Sequence, residues 1–183
     1  MILETARLLL RPWEDRDRAP LAAILGDPVV RRFYPRPATP EETSTQIDHA
    51  LATTRAGGFH FGAAERKADG RLIGLVGLGI IPHDTRAAIP GQPQVEIGWQ
   101  LDKEVWGQGL APEAAAAWLQ HGFEALGLVE IVAFTAAINL PSQRVMQKLG
   151  MTHDSADDFD HPRLPQGHQL RRHVLYRIAA PES

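Results

Sequence analysis

Apolar positions recur with two different periods along the chain, and each change of period marks a new element. Arg7-Leu8-Leu9-Leu10-Arg11 is a short apolar run closed by Pro12, which predicts a first strand. Asp15 is placed to cap a helix that carries Leu21, Ile24 and Leu25 on one face and stops near Gly26-Asp27-Pro28. The stretch from Val29 to Pro40 is broken by prolines, holds Phe33 and Tyr34, and reads as a loop. Pro40-Glu41-Glu42 opens a second helix, with Ile47, Ala50 and Leu51 as its apolar spacing and Gly57-Gly58 as its end. Residues 59–64 and 72–81 read as strands joined by Asp69-Gly70, a strong hairpin pair. Pro82 to Pro93 is polar, carries three prolines, and reads as a loop.

From Gln94 to Leu101 the period is two. Alternation puts Gln94, Glu96, Gly98 and Gln100 on one face and Val95, Ile97, Trp99 and Leu101 on the other. A glycine at position 98 lets another group lie close to the strand. A glycine turn follows, then a helix from about Ala111 to Leu126 that is apolar on several sides and predicted to be well buried. Ile131 to Phe134 is a further strand. Asn139-Leu140-Pro141-Ser142 opens a helix whose stripe is Val145, Met146 and Leu149, with Gly150 beyond its end. With Pro141 as first helical residue, Leu140 takes the cap position. Asp154 to His168 mixes acids, histidines and structure breakers; its spacing matches no zinc or calcium motif, so it reads as a solvated loop. Arg171 to Ile178 is the last strand, with His173, Leu175 and Arg177 on one face. Interleaved strands and helices predict one domain over residues 1–183 of the α/β (α+β) class. Its expected core is a mixed, mainly antiparallel sheet of about seven strands with helices on both faces.

Composition removes several classes. A net charge of -3 gives no general attraction to nucleic acid or to an anionic membrane. No apolar run reaches membrane-spanning length, and the N-terminus lacks the pattern of a signal peptide. The chain has no cysteine, which excludes disulfides, thiolate metal sites and a cysteine acyl-enzyme and fits a cytoplasmic protein.

The chemistry concentrates in Trp106-Gly107-Gln108-Gly109-Leu110-Ala111-Pro112-Glu113. Two glycines before a helix start point free backbone N–H groups at one spot, which suits an anion such as a phosphate; a plain tight turn is the other reading. No Lys-Ser or Lys-Thr follows Gly109, so this is not a Walker loop. Pro112 stands where the dinucleotide fingerprint needs a third small residue.

This block resembles the acetyl-CoA pyrophosphate loop of the GCN5-related N-acetyltransferase (GNAT) family, with Gly109 and Ala111 fitting its pattern and Trp106 standing where Gln or Arg is usual. Further blocks look like the branch that acetylates ribosomal-protein N-termini at alanine or serine. They are Glu4 to Trp13, Val95 to Trp99, Asn139 to Ser142 and Leu149-Gly150-Met151, in that order. The resemblance implies acetyl transfer from acetyl-CoA, with no metal, to a primary amine: a protein N-terminus or a small amine. It implies that Gly107, Gln108, Gly109, Leu110 and Ala111 hold the pyrophosphate, beside Trp106. Trp99 and Leu101 would offer backbone groups to the pantetheine where the sheet splays, and the Val29 to Pro40 region would help shape the acceptor pocket. Asn139 would hydrogen-bond the pantetheine arm, Ser142 would face the sulfur, and Glu96 would be the base, directly or through water. Read without the family, Glu96 is an acid on a solvated strand face and Ser142 a residue near a helix start. Two other readings stay open: a non-catalytic CoA-binding sensor, and a serine acyl-enzyme at Ser142. The latter lacks the Gly-x-Ser-x-Gly elbow. The assembly is a monomer or a homodimer.

Overall fold

The computed structural model describes residues 1–181. The chain opens with β1 (Leu3–Glu4), β2 (Leu8–Arg11), α1 (Arg18–Leu25) and α2 (Pro40–Arg55). Then come β3 (Phe61–Arg66), β4 (Arg71–Ile80), α3 (His83–Ala88) and β5 (Val95–Leu101). The second half holds α4 (Leu110–Glu124), β6 (Glu130–Ala136), α5 (Leu140–Lys148), β7 (Thr152–His153), β8 (Phe159–Asp160) and β9 (Arg172–Ala179). All strands join one nine-stranded sheet in the order β1-β2-β3-β4-β5-β6-β9-β7, with β8 also on β9. Every pairing is antiparallel except β5 with β6. The mixed, mainly antiparallel sheet with helices on both faces is the one expected. Three of its strands have only two residues, too short to show a period.

The sheet's first face is covered by α4 and α5. Ile97 and Leu101 of β5, Ile131 of β6 and Val174 of β9 pack with Trp118 and Leu119 of α4 and Met146 of α5. Burying each such large side chain contributes about 1.5–3 kcal/mol. The second face carries two separate cores. Leu21 and Leu25 of α1 and Ile47 of α2 cover β3 and β4. Ile81, Ile89 and Phe159 cover Val132 of β6 and Leu175 of β9. Between these cores lies the Glu96, Gly98 and Gln100 face of β5, covered by neither.

Three local expectations change. Asp15 caps no α-helix: Asp15–Asp17 is a 3-10 turn closed by a reciprocal Glu14–Asp17 capping pair, because the Asp17 carboxylate is drawn to Arg11. Pro82 to Pro93 is not all loop. It holds α3, which is flanked by Pro82 and Pro90 and anchored by buried Thr85 and Ile89; six residues are too few to show a helical period. Asp154 to His168 is not simply a solvated loop either. Phe159 is 4 % exposed in the second-face core and β8 pairs with β9. Its polar side chains bond locally, Asp157 to Arg177 at 2.6 Å and His153 to Asp158 at 2.8 Å. Among the described residues no group of three or more acids and histidines could hold a metal.

One charge cluster ties the first strands to α1. The Arg11 guanidinium is 5 % exposed; it donates to both Asp17 oxygens at 2.7 and 2.9 Å and lies 2.8 Å from Glu65. Burial acts to raise the Asp17 pKa, but the Arg11 hydrogen bonds and charge win and hold it below the usual range. Arg11→Met leaves two acids without their buried partner and is expected to cost about 3–5 kcal/mol in urea denaturation. In wild type, the Asp17 contribution is present above the unfolded carboxyl pKa of about 4 and lost as pH falls below it. The stability gap between wild type and variant therefore narrows under acid.

Candidate active site

β5 and β6 are parallel partners at a single residue pair, Glu96 with Val132. Past that pair they part. β5 leads through a 3-10 turn (Lys103–Val105) into the glycine loop, while β6 leads into α5. A cavity of about 870 Å³ runs through the gap. Ala111, Val145 and Met146 line it from the first face; Phe61, Glu96 and His173 line it from the second. A ligand entering from each side would meet in the middle of the sheet.

The glycine loop forms one mouth. Gly107 has φ +75° and Gly109 φ +76°, a left-handed conformation that costs glycine little. A Cβ on Gly107 would meet no described atom within 4 Å, so that side of the loop is open. α4 begins at Leu110 with Gly109 as its cap. The N–H groups of Gly109, Leu110 and Ala111 donate to no described group, and they lie at the positive end of a 15-residue helix. These are donors a pyrophosphate can use. Trp106, Gly107, Gly109, Leu110 and Ala111 line the cavity. Gln108 does not, since its amide donates to the Glu104 carbonyl at 3.2 Å. The loop is braced from outside by Arg7, whose guanidinium donates to the Gln108 carbonyl at 2.8 Å and to Glu113 at 2.6 Å. Nothing in the sequence spacing links Arg7 to Gln108, 101 residues away.

Beside the gap, Trp99 packs on the first-face core, and the Leu101 carbonyl accepts the Trp106 indole N–H at 2.9 Å. Leu140 is not the cap of α5. That position belongs to Asn139, whose side-chain oxygen accepts from the Ser142 N–H at 3.3 Å while its NH2 donates to the Thr135 hydroxyl at 2.8 Å. The helix takes in Leu140 before Pro141 because asparagine is the better cap. Ser142 lines the cavity half-buried, and its hydroxyl has no hydrogen-bond partner among the described residues.

Glu96 stands at the point of parting. Its side chain reaches the second-face side of the cavity, where the Phe61 ring lies close over Gly98: a Cβ there would be 2.9 Å from that ring. No described cation pairs with Glu96, and burial pushes its carboxyl up to about 7. It is the sole acid lining the cavity among the described residues. The 27–36 loop closes the same side. Arg31 stacks at 3.6 Å on the Tyr34 ring and donates to Gln100 at 2.9 Å. Burial raises the Tyr34 phenol, Arg31 opposes the rise and the Glu96 charge adds to it.

Comparison with known proteins decides the class. The acetyltransferase (GNAT) domain matches residues 7–152. The chain belongs to the GNAT acetyltransferase family. It is 33 % identical over 150 residues to YkkB of Bacillus subtilis, covering 81 % of this chain and 84 % of that protein. It is 31 % identical over 153 residues to the FsC-acetyl coenzyme A-N(2)-transacetylase of Aspergillus fumigatus, covering 82 % of this chain and 65 % of that protein. The GNAT-family acetyltransferase from Bacillus anthracis superposes with a TM-score of 0.78 at 25 % identity, covering 98 % of each chain. RimL, a ribosomal L7/L12 alpha-N-protein acetyltransferase in complex with coenzyme A, shares the fold: TM-score 0.72, 15 % identity, 98 % of each chain. As a family member this GNAT protein is an acetyl-CoA-dependent acyltransferase. The open glycine loop with its unpaired N–H groups fits such a co-substrate.

The Glu96 pKa gives a stability prediction. Its folded value, about 7, lies above the unfolded value of about 4.3. A raised carboxyl pKa means that the folded state holds the proton longer, so stability falls as pH rises from about 4.3 through about 7. Glu96→Gln has no such proton to lose. The melting temperature of the variant is expected to exceed that of wild type at pH 8 by more than it does at pH 4, read by thermal unfolding at both pH values.

Proposed function

We propose that the protein moves the acetyl group of acetyl-CoA directly to a primary amine, with Glu96 as the base. The observation that carries this is a solitary acid, without a counter-ion and raised to about 7, where the cavity crosses the sheet. A carboxylate near 4.3 is a poor base for an ammonium near 8 to 10; one near 7 falls short by about one to three units, or about 1.4–4 kcal/mol. Bound acetyl-CoA supplies the activated thioester. The N–H groups of Gly107 to Ala111 hold its pyrophosphate, as the glycine conformations allow. The edge of β5 at Trp99 and Leu101 runs beside its arm, and Asn139, already fixed as a cap, orients Ser142 at the same wall. Glu96 takes the amine proton, the new C–N bond forms as the C–S bond breaks, and the Ser142 hydroxyl donates toward the leaving sulfur. The name of the similar FsC transacetylase places the transferred acetyl on a nitrogen, N(2), which supports this chemistry. A protein N-terminus or a small amine would serve as acceptor.

Glu96→Gln is expected to lower turnover by about 10²- to 10⁴-fold while leaving acetyl-CoA affinity nearly unchanged. Wild-type turnover should rise with pH through about 7, where Glu96 loses its proton. The deficit of the variant should shrink at high pH, where the amine is already neutral. Turnover near wild type across the pH range would refute the base.

Ser142 has a smaller task. A thiol pKa of about 8.5, by comparison with cysteine, lets the sulfur leave without full protonation. Ser142→Ala should therefore cost about 10- to 10²-fold in turnover, at the low end of acid–base effects. Direct transfer leaves no acetyl group on the protein. Intact mass after mixing with acetyl-CoA alone should show no adduct; a burst-phase adduct lost in Ser142→Ala would establish an acyl-enzyme instead. Acetyl-CoA binding without thiol release in any amine pool would mark a sensor.

A further inference from the structure

On its second face the cavity continues past Glu96 into a box of aromatic rings. Phe134 lies two residues beyond Val132 on β6, on the same face and so about 7 Å further along the sheet. Its ring sits 5.5 Å from Phe159, 6.2 Å from His173 and 6.5 Å from His161, and the two histidine rings are 4.9 Å apart. Phe159 closes the base, while Phe134, His161 and His173 line the cavity. Burial disfavours the charged form of both histidines, lowering His161 below its usual value and His173 to about 4. The Arg171 carbonyl lies 3.1 Å from His173 Nδ1, which assigns the proton there and leaves Nε2 as an acceptor. His161 Nδ1 accepts from the Arg163 N–H at 3.3 Å, which leaves Nε2–H as a donor. The box is thus flat, uncharged and sparsely polar.

The charges around it are lopsided. Glu96 is the one acid lining the cavity among the described residues, whereas the cations Arg144 and Lys148 stand on α5 at the first-face half and Arg32 stacks on Trp106 beside the glycine loop. Arg163 is neutralised by Asp84 at 2.7 Å. A molecule with several ammonium groups would find only one counter-charge there. A molecule with one ammonium group and a flat apolar body would find a partner for each part.

We infer that the acceptor is a singly charged primary amine bearing an aromatic or apolar group, which the Phe134–His161–His173 box seats while the amine meets Glu96. The inference rests on the acetyl-transfer reading above.

Thiol release from acetyl-CoA, followed with 2-phenylethylamine, ethylamine, spermidine and an aminoglycoside as acceptors, tests it. The expected kcat/KM for 2-phenylethylamine exceeds each of the others by about tenfold or more. Phe134→Ala and His173→Asn should each raise KM for 2-phenylethylamine about tenfold, leaving KM for ethylamine and acetyl-CoA near wild type. The unchanged acetyl-CoA KM reports an intact fold, and His173→Asn carries the test should Phe134→Ala fail to fold. Spermidine or the aminoglycoside matching 2-phenylethylamine, or selectivity unmoved in His173→Asn, overturns the aromatic acceptor alone. Turnover of an added peptide N-terminus with none of 2-phenylethylamine overturns this inference alone; acetyl-CoA binding with neither the panel nor the peptide turned over overturns the transfer reading and this inference with it.

Discussion

The parallel contact between β5 and β6 lasts for one residue pair, and the site exists because it goes no further. Each strand is held firmly on its other edge, β5 by seven paired residues of β4 and β6 by seven of β9. The sheet therefore opens as two rigid halves instead of fraying. Backbone groups on the inner edge of β5 lose their ladder partners there, and unpaired polar groups in a closed space are costly. The protein compensates at one of them: the Trp106 indole satisfies the Leu101 carbonyl. What remains is an edge suited to an extended ligand carrying amides of its own.

Charge is handled in opposite ways at the two ends of the molecule. Arg11, Asp17 and Glu65 are buried together, and each answers another's charge. Glu96 is enclosed with no cation beside it, although several arginines lie on the same cavity wall. Arg163, the cation that shares a wall with the aromatic box, is held by Asp84, and Arg31 spends its donors on Gln100 and the Arg36 carbonyl. Had any of them reached Glu96, its pKa would have fallen, and the carboxyl would be a poorer candidate for the proposed base near neutral pH. Leaving that carboxyl unpaired lowers stability at high pH, a cost that accords with the proposed role.

Much of this was legible in the sequence, because the long elements announce themselves by period. The alternation from Val95 to Leu101 placed Glu96 and Gly98 on one face, and the close neighbour allowed by the glycine is the Phe61 ring. The glycine loop and the start of α4 follow from Gly107, Gly109 and Pro112. What stayed hidden is what a period cannot carry. α3 and β8 are too short, and their places are fixed by Ile89 and Phe159 filling a core built from distant strands. Arg7 braces the loop across 101 residues. The aromatic box joins Phe134 of β6 to His173 of β9 through antiparallel pairing that only the folded sheet creates. Asn139 could have been read as a cap from its residue type; the proline two places on drew the cap to Leu140 instead.

Trp106 links these features. It stands where the family pattern usually has Gln or Arg, and here its indole N–H holds the Leu101 carbonyl while its ring carries the Arg32 guanidinium at 4.5 Å. Arg32 belongs to the 27–36 loop, which lines the cavity. The same loop reaches the exit of β5 through Asp27 to Lys103 at 2.5 Å and Arg31 to Gln100 at 2.9 Å. Each such contact is worth about 1 kcal/mol or less where water reaches it. Three of them across one short gap nevertheless leave the loop little freedom to move independently of the glycine turn. Trp106 and the exit of β5 thus hold the 27–36 loop at the same gap in the sheet from which the glycine turn departs.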